Sequence, residues 1–442
     1  MPGVRARLGL LVLAAISLAS CTFASPRASS APGLPAPVRE VLPNGVRLIV
    51  QEHRGTDVSA LQLWVRAGGR DEAATELGLA HYLEHLLFKG TASRPRRFID
   101  RDVEGVGGRM NAGTSLDYTF YHLVLPAART HAAVELLADI SVNATLDAAT
   151  LEAEKRVVLE EMRLSEDNPQ RFLSRQLHQA VFEGHPYGRP VIGTPELVRG
   201  LSRETLLAFY RRLYVPEAFT LVVVGPVATP EVLAHARRAF ANLPRSGTRP
   251  LPAPPVPPLR PRQVEITRPG SQAYLGMAWH APRIDHPDVA AVDLLVTILG
   301  QTRTSRLTHA LRDKLGLVST IASGYSALEA AGVVTITART DADLGRLEAE
   351  ILSEVQRLRD DGVTEAERRR AVTVAESHHE FSTETAEGRA RALGRAETVW
   401  RLEDELAYLD RIRTVSAGQI QVVARKYLDP ERYVRVRFVP RS

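Results

Sequence analysis

Along this chain two rhythms of apolar residues alternate, and they succeed one another twice. Residues 38–53, "VREVLPNGVRLIVQEH", alternate apolar with polar on both sides of Asn44-Gly45. That dipeptide takes the positive backbone angles of a tight turn, so a β-hairpin is predicted. "VSALQLWVRAGG" (58–69) reads as a further strand, and "GLAHYLEHLLFKG" (78–90) has the spacing of an amphipathic helix. A glycine-rich passage leads to a strand at "TFYHLVLP" (119–126), and helical spacing fills residues 128–182. "FTLVVVGPV" (219–227) is an unbroken apolar run, predicted as a buried strand closing the first half.

Residues 244–262 hold eight prolines. Proline removes backbone donors and favours extended chain, so this stretch reads as a semi-rigid linker. Beyond it the order repeats. A strand "AYLGMAWHAP" (273–282) precedes a helix "DHPDVAAVDLLVTILG" (285–300) and an amphipathic helix "SRLTHALRDKL" (305–315). Strands near "STIASGY" and "GVVTITART" follow, then long helices. The predicted fold is α+β: two similar halves, 38–243 and 263–442, each a mainly antiparallel sheet packed with long helices. The helix in the second half corresponding to 78–90 carries His286 and Asp293 but no histidine pair four apart, so metal chemistry is expected only in the first half.

Composition adds limits. The chain of 442 residues is 44% hydrophobic and 24% charged, a globular balance. Its formal charge of +5 is scattered, without basic runs interleaved with aromatics, so no nucleic-acid partner is expected. Residues 1–20 have a cationic start at Arg5 and Arg7 and an apolar core of signal-peptide length. They end in "LASC", which resembles the lipobox of bacterial lipoproteins; Cys21 would then carry the lipid, and 21–37 would be a flexible tether. A plain secretory signal cleaved near "FAS" is the other reading. Removing 1–20 deletes two arginines and no acid, lowering the charge from +5 to +3. Thr22 after the cysteine resembles the pattern that sorts lipoproteins to the outer membrane, facing the periplasm. Cys21 is the only cysteine, which excludes an internal disulfide and a cysteine-based zinc site.

The chemistry concentrates in "HYLEH". Residues four apart lie one helical turn apart on one face, so His81 and His85 can present two imidazoles to one ion, with Glu84 at the same edge. A catalytic zinc site needs three protein ligands, an open position and a base for the attacking water. His-x-x-Glu-His supplies two ligands and the base. An amphipathic helix with two exposed histidines fits the same five residues. "LEAEKRVVLEEMRLSEDNP" (151–169) places Glu154 and Glu161 two helical turns apart on one face, with Val157 and Val158 between them; Glu160 points elsewhere. Inward carboxylates need a charge partner, and a zinc ion is one. A solvated acidic face neutralised by Lys155 and Arg156 is the other reading.

"AHYLEHLLFKGT" followed by "EKRVVLEEM" resembles the pitrilysin/insulinase family of inverzincin metallopeptidases, in particular its short-chain branch that includes mitochondrial processing peptidase. "LPNGVRLIV", "AGGRDE", "GGRMNAGTSLDYTFYH", "HPYGRPVIGT" and "YVPEAFTLVVVG" extend the likeness over nearly the whole chain. The resemblance implies two halves facing each other around a cleft. One Zn²⁺ per chain would be held by His81, His85 and a glutamate about 76 residues beyond, where Glu161 stands. It implies Glu84 as the base that takes a proton from the attacking water and passes it to the leaving amine. Glu154 would orient a ligand histidine or hold local charge. Asn111 and Ala112 would border the cleft, where an extended peptide adds to a strand edge. His122 reads as strand packing, and His378 and His379 as surface residues.

One departure stands out. Family members that complete the site from the second half carry an arginine and, seven residues on, a tyrosine. Here Arg312 is present, but position 319 is Ser319. The resemblance therefore implies a dimer, homomeric or with a related subunit that supplies the Arg/Tyr pair. The expected activity is a zinc endopeptidase acting on extended or unfolded peptides in the cell envelope. The alternative is a non-catalytic subunit or binding protein of the same fold.

Overall fold

The computed structural model describes residues 34–247 and 252–441. The segment predicted as a signal sequence (1–20), Cys21 and most of the predicted tether lie outside these residues.

The first sheet comprises β1 (Val38–Val41), β2 (Arg47–Glu52), β3 (Val58–Val65), β4 (Arg109–Thr114), β5 (Thr119–Pro126) and β6 (Phe219–Gly225), in the order β1-β2-β6-β3-β5-β4. The second comprises β7 (Arg262–Pro269), β8 (Ala273–Ala281), β9 (Thr320–Ala327), β10 (Gly332–Thr340) and β11 (Val434–Arg441), in the order β7-β11-β8-β10-β9. Both sheets are built alike. The last strand of each half inserts between the first two long strands, parallel to one and antiparallel to the other: β6 between β2 and β3, β11 between β7 and β8. Strand β6 thus sits inside the first sheet, and the Thr229–Phe240 helix follows it. Asn44-Gly45 forms the predicted turn, with Gly45 at φ 97°.

The unbroken apolar run in β6 has a direct cause, since both faces of the sheet are covered. Leu221 and Val223 enter the first-half core with Leu61 and Leu63 of β3. Val222 and Val224 face the other way, with Ala60 and Trp64, against Ala386, Ala390 and Leu393 of the Ala386–Val399 helix. That helix belongs by sequence to the second half. The exchange is reciprocal: Leu173 and Leu177 of the Pro169–Val181 helix, a first-half element, pack against Ala278, Val434 and Val436 of the second sheet. Each contact is close. A Cβ at Gly394 would meet the Trp64 indole at 2.0 Å, and one at Gly276 would meet Leu177 at 2.5 Å. Each large apolar side chain fully buried here is worth roughly 1.5–3 kcal/mol.

A polar lock joins the halves beside these helices. The β9–β10 turn presents the Glu329 and Ala330 amides, which donate to Asp117 Oδ2 (3.0 Å) and the Tyr187 hydroxyl (3.0 Å). Tyr187 donates to Asp117 Oδ1 at 2.6 Å. Arg70 Nη1 reaches Asp117 Oδ1 at 2.9 Å and Glu329 Oε2 at 2.8 Å. The segments "AGGRDE", "SLDYT" and "HPYG" therefore meet in one buried network.

Candidate metal centre

The Leu79–Leu87 helix buries Leu79, Ala80, Tyr82, Leu83, Leu86 and Leu87, which fixes how its polar residues are presented. Its N-cap, Gly78, has φ 96° and no side chain to cap the first turn. Glu72 does so from outside: its two oxygens accept from the Gly78 and Ala80 amides at 2.9 and 2.8 Å. A carboxylate at a helix N-terminus is favoured by the helix dipole. Burial nonetheless pushes its carboxyl up to about 8.

Opposite runs the Ala148–Asp167 helix, capped by Asp147 accepting from Thr150 N. Glu161 Oε2 lies 3.6 Å from the Nε2 atoms of both His81 and His85. The three potential ligand atoms all fall within 4.8 Å of one another, and this is the one such group of three among the described residues. Donors at zinc distances of about 2.0–2.2 Å around a tetrahedral ion stand about 3.4 Å apart. Two imidazole nitrogens and one carboxylate at this separation fit zinc.

The electrostatics are those of a cation site. Glu161 holds the His85 imidazole above its ordinary range through a hydrogen bond, against burial. His85 in turn holds the Glu161 carboxyl low. Burial pushes His81 down. Glu154 accepts from His85 Nδ1 at 3.3 Å through Oε2, and from Lys89 Nζ at 2.6 Å through Oε1. Burial opposes charge on Glu154, but Lys89 and then His85 keep its carboxyl below the ordinary range. A ligand histidine whose second nitrogen meets a carboxylate is fixed in ring orientation and made more basic. His81 lacks such support: its Nδ1 is buried without a hydrogen-bond partner among the described residues. Glu84 is half-buried, and its charge raises the proton affinity of both histidines.

The residues expected from the sequence separate into two groups. His81, Glu84, His85, Glu154 and Glu161 come together. Of the two valines on the Ala148–Asp167 helix, however, only Val158 points inward; Val157 is 49% exposed. Glu160 is exposed and pairs with Arg163, and Lys155 pairs with Glu152. Asn111 and Ala112 lie on β4, at the edge of the first sheet. Ala112 packs on the core covered by the His81 helix. Asn111 pairs with His122 in register, so its side chain takes the opposite face; its Oδ1 accepts from Ala112 N at 2.9 Å. His122 packs on Phe120 and faces Glu387, away from the histidine pair. Arg312 stands apart from the metal group. It pairs with Asp313 at 2.8 Å and lines a second-half cavity of about 880 Å³ whose lining comes from residues 284–408. The predicted helix there is π-helical over Thr308–Lys314. His379 lines the same cavity and is half-buried rather than a surface residue. The Ser319 hydroxyl donates to Arg339 O at 3.1 Å and accepts from Arg339 Nε at 2.9 Å.

Sequence reasoning missed Lys89 and Glu72. Lys89 stands four residues past His85, a spacing that carries the signal for a shared helix side. Nothing local marks Glu72, whose role depends on a turn folding back.

With two halves built alike and, among the described residues, one histidine–carboxylate group, the chain has the architecture of a peptidase-family fold, and it belongs to the insulinase family, peptidase family M16. Residues 47–195 match "Insulinase (Peptidase family M16)" and residues 200–374 match "Peptidase M16 inactive domain". The chain is similar to an uncharacterized zinc protease of Mycobacterium tuberculosis, 32% identical over 402 residues, covering 89% of this chain and 91% of the relative. In fold it is similar to a crystal structure of a protease from Helicobacter pylori (TM-score 0.87, 24% identity, 92% of this chain and 100% of that one). A peptidase M16 inactive domain structure from Pseudomonas fluorescens is also similar (TM-score 0.85, 22% identity, 92% and 98%).

Proposed function

We propose that this protein is a zinc-dependent endopeptidase that hydrolyses extended or unfolded peptides in the cell envelope. The observation that carries the reading is the convergence of His81 Nε2, His85 Nε2 and Glu161 Oε2, with Glu84 beside them. When bound there, zinc supplies Lewis acidity toward a carbonyl and toward water. His81, His85 and Glu161 hold the ion, and Glu154, steadied by Lys89, fixes the His85 ring. Glu84 takes the proton from the attacking water and delivers it to the leaving amine. The free edge of β4 offers main-chain partners to an extended substrate, with little demand on its sequence.

A lipid on Cys21 would hold the chain at the membrane, on the outer membrane's periplasmic side. A dimer, homomeric or with a related subunit bearing the Arg/Tyr pair, would supply what Ser319 cannot, since a serine hydroxyl reaches less far than a tyrosine's and this one is engaged by Arg339. Replacing Glu84 with Gln tests the reading: hydrolysis of a quenched peptide library should fall by at least about 10³-fold, with about one zinc per chain retained by metal analysis. Turnover at the wild-type rate in that variant would refute it. If activity appears only on mixing with a subunit carrying the Arg/Tyr pair, the heterodimer is supported; full activity of the purified chain alone counts against an obligatory partner.

A further inference from the structure

A second polar cavity lies where the linker returns to the second half. It measures about 1170 Å³ and shares no lining residue with the histidine–glutamate group. Its wall joins Arg39, Arg47 and Arg66 of the first half to Arg283 and the Glu397–Arg401 segment of the second.

Guanidinium groups outnumber the carboxylates that serve them. Arg39 takes both oxygens of Glu397, at 2.7 and 2.9 Å. Arg47 reaches the same carboxylate only at 3.8 Å and otherwise donates to Thr220 Oγ1 at 2.9 Å. Glu329 is shared between Arg66 and Arg70, which also binds Asp117. Asp285 is taken by Arg283 at 2.6 Å. Burial disfavours charge on Arg47, Glu397 offsets part of this, and Arg66 and Arg39 work against it.

Five lining residues also carry buried polar atoms without a hydrogen-bond partner among the described residues: Arg47 Nη2, Arg66 Nε, Thr398 Oγ1, Trp400 Nε1 and Glu329 Oε2. The one acceptor among them, Glu329 Oε2, is ion-paired with Arg70 Nη1 at 2.8 Å; the other four can donate, and three of these can only donate. Buried donors are as a rule satisfied, and a cluster of unsatisfied donors beside surplus positive charge fits a missing acceptor that is anionic.

We propose that this cavity binds a compact oxyanion of phosphate size. Arg47 and Arg66 are its principal partners, and the Thr398 hydroxyl and the Trp400 N–H are further donors. The anion ties β2 and the end of β3 in the first half to the C-terminal end of the Ala386–Val399 helix and Trp400 after it, independently of the metal centre.

Calorimetric titration of the zinc-loaded full chain with inorganic phosphate, at ionic strength held constant with chloride, tests this. Saturable binding at one site per chain is expected. Arg47→Met should weaken it at least tenfold, and a His81→Ala/His85→Ala variant should bind phosphate as the wild type does. Unsaturable heat, equal affinity in Arg47→Met, or loss of binding in the histidine variant would overturn the proposal; the last would place the anion on the metal. If Arg47→Met does not fold by circular dichroism, Thr398→Val and Trp400→Phe carry the test. Each should weaken binding several-fold, and unchanged affinity in both overturns it.

Discussion

Two helix pairs occupy the same place in the order of the two halves, and among the described residues only one carries a group of side chains able to hold a metal ion. In the first half, the Leu79–Leu87 and Ala148–Asp167 helices turn two imidazoles and the Glu161 carboxylate toward one point, with Glu154 on the far side of the His85 ring. In the second, the Val289–Val296 helix buries Ala290, Ala291, Val292, Leu294, Leu295 and Val296. Its Asp293 is half-buried at the wall of the second-half cavity, accepts from the Tyr408 hydroxyl at 2.8 Å, and is pushed by burial up to about 6. The partner helix there, Glu365–Thr383, begins with a Thr364–Glu367 capping box and an Arg306–Glu367 ion pair, and carries no group of metal-ligating residues among the described ones. The same layers thus form with or without the ligands. In this architecture the candidate metal centre is a handful of side chains placed on a frame that packing already stabilises.

The comparison breaks most sharply if metal resides elsewhere. Replacing His85 with Ala should abolish stoichiometric zinc for the whole chain by metal analysis while the thermal melt of the zinc-free protein barely moves. Retention of about one zinc would mean that the second half holds an ion too. A smaller effect is expected from Glu154→Gln, which leaves the three ligands in place but removes the anion between His85 and Lys89. Zinc affinity should drop about 10–100-fold, measured by competition with a chelator.

The smallest effect belongs to the second half. Hydrogen bonds from Arg306 hold the Glu367 carboxyl at about 2, below its ordinary 4.5. The folded value is depressed, so this stability is present above about pH 4.5 and is lost as pH falls toward 2. Glu367→Gln should therefore flatten the acid side of the stability–pH curve by about 1 kcal/mol, given partial exposure of the pair, without altering zinc content. An acid slope identical to wild type would remove the ion pair from the account of how the second half is held.

What the sequence made legible follows range. The Asn44-Gly45 hairpin and the His81–His85 face are local patterns, and both stand where the spacing put them. Helical spacing put Glu161 on the face of Glu154 and turned Glu160 away, but the assignment of Glu161 as the third ligand was reached through resemblance. The inward assignment of Val157 failed: the buried face of this helix runs through Leu151, Glu154, Val158 and Met162, and Val157 lies beyond its edge. The insertion of β6 into the middle of its sheet, the exchange of helices and the Asp117–Glu329 lock depend on contacts between segments about a hundred or more residues apart, which periodicity does not encode. Lys89 lay within reach of a simple spacing argument, whereas Glu72 did not.

The exchanged helices have a consequence for how the chain can come apart. A cut in the proline-rich linker would not release two finished domains, because each fragment would bare one sheet face that only the other's helix fits. Trp64 would lose the notch at Gly394, and Leu177 the notch at Gly276. The nicked protein is in effect an obligate two-piece complex: its pieces should travel together on a sizing column and reassociate when mixed, each acting as the other's folding template.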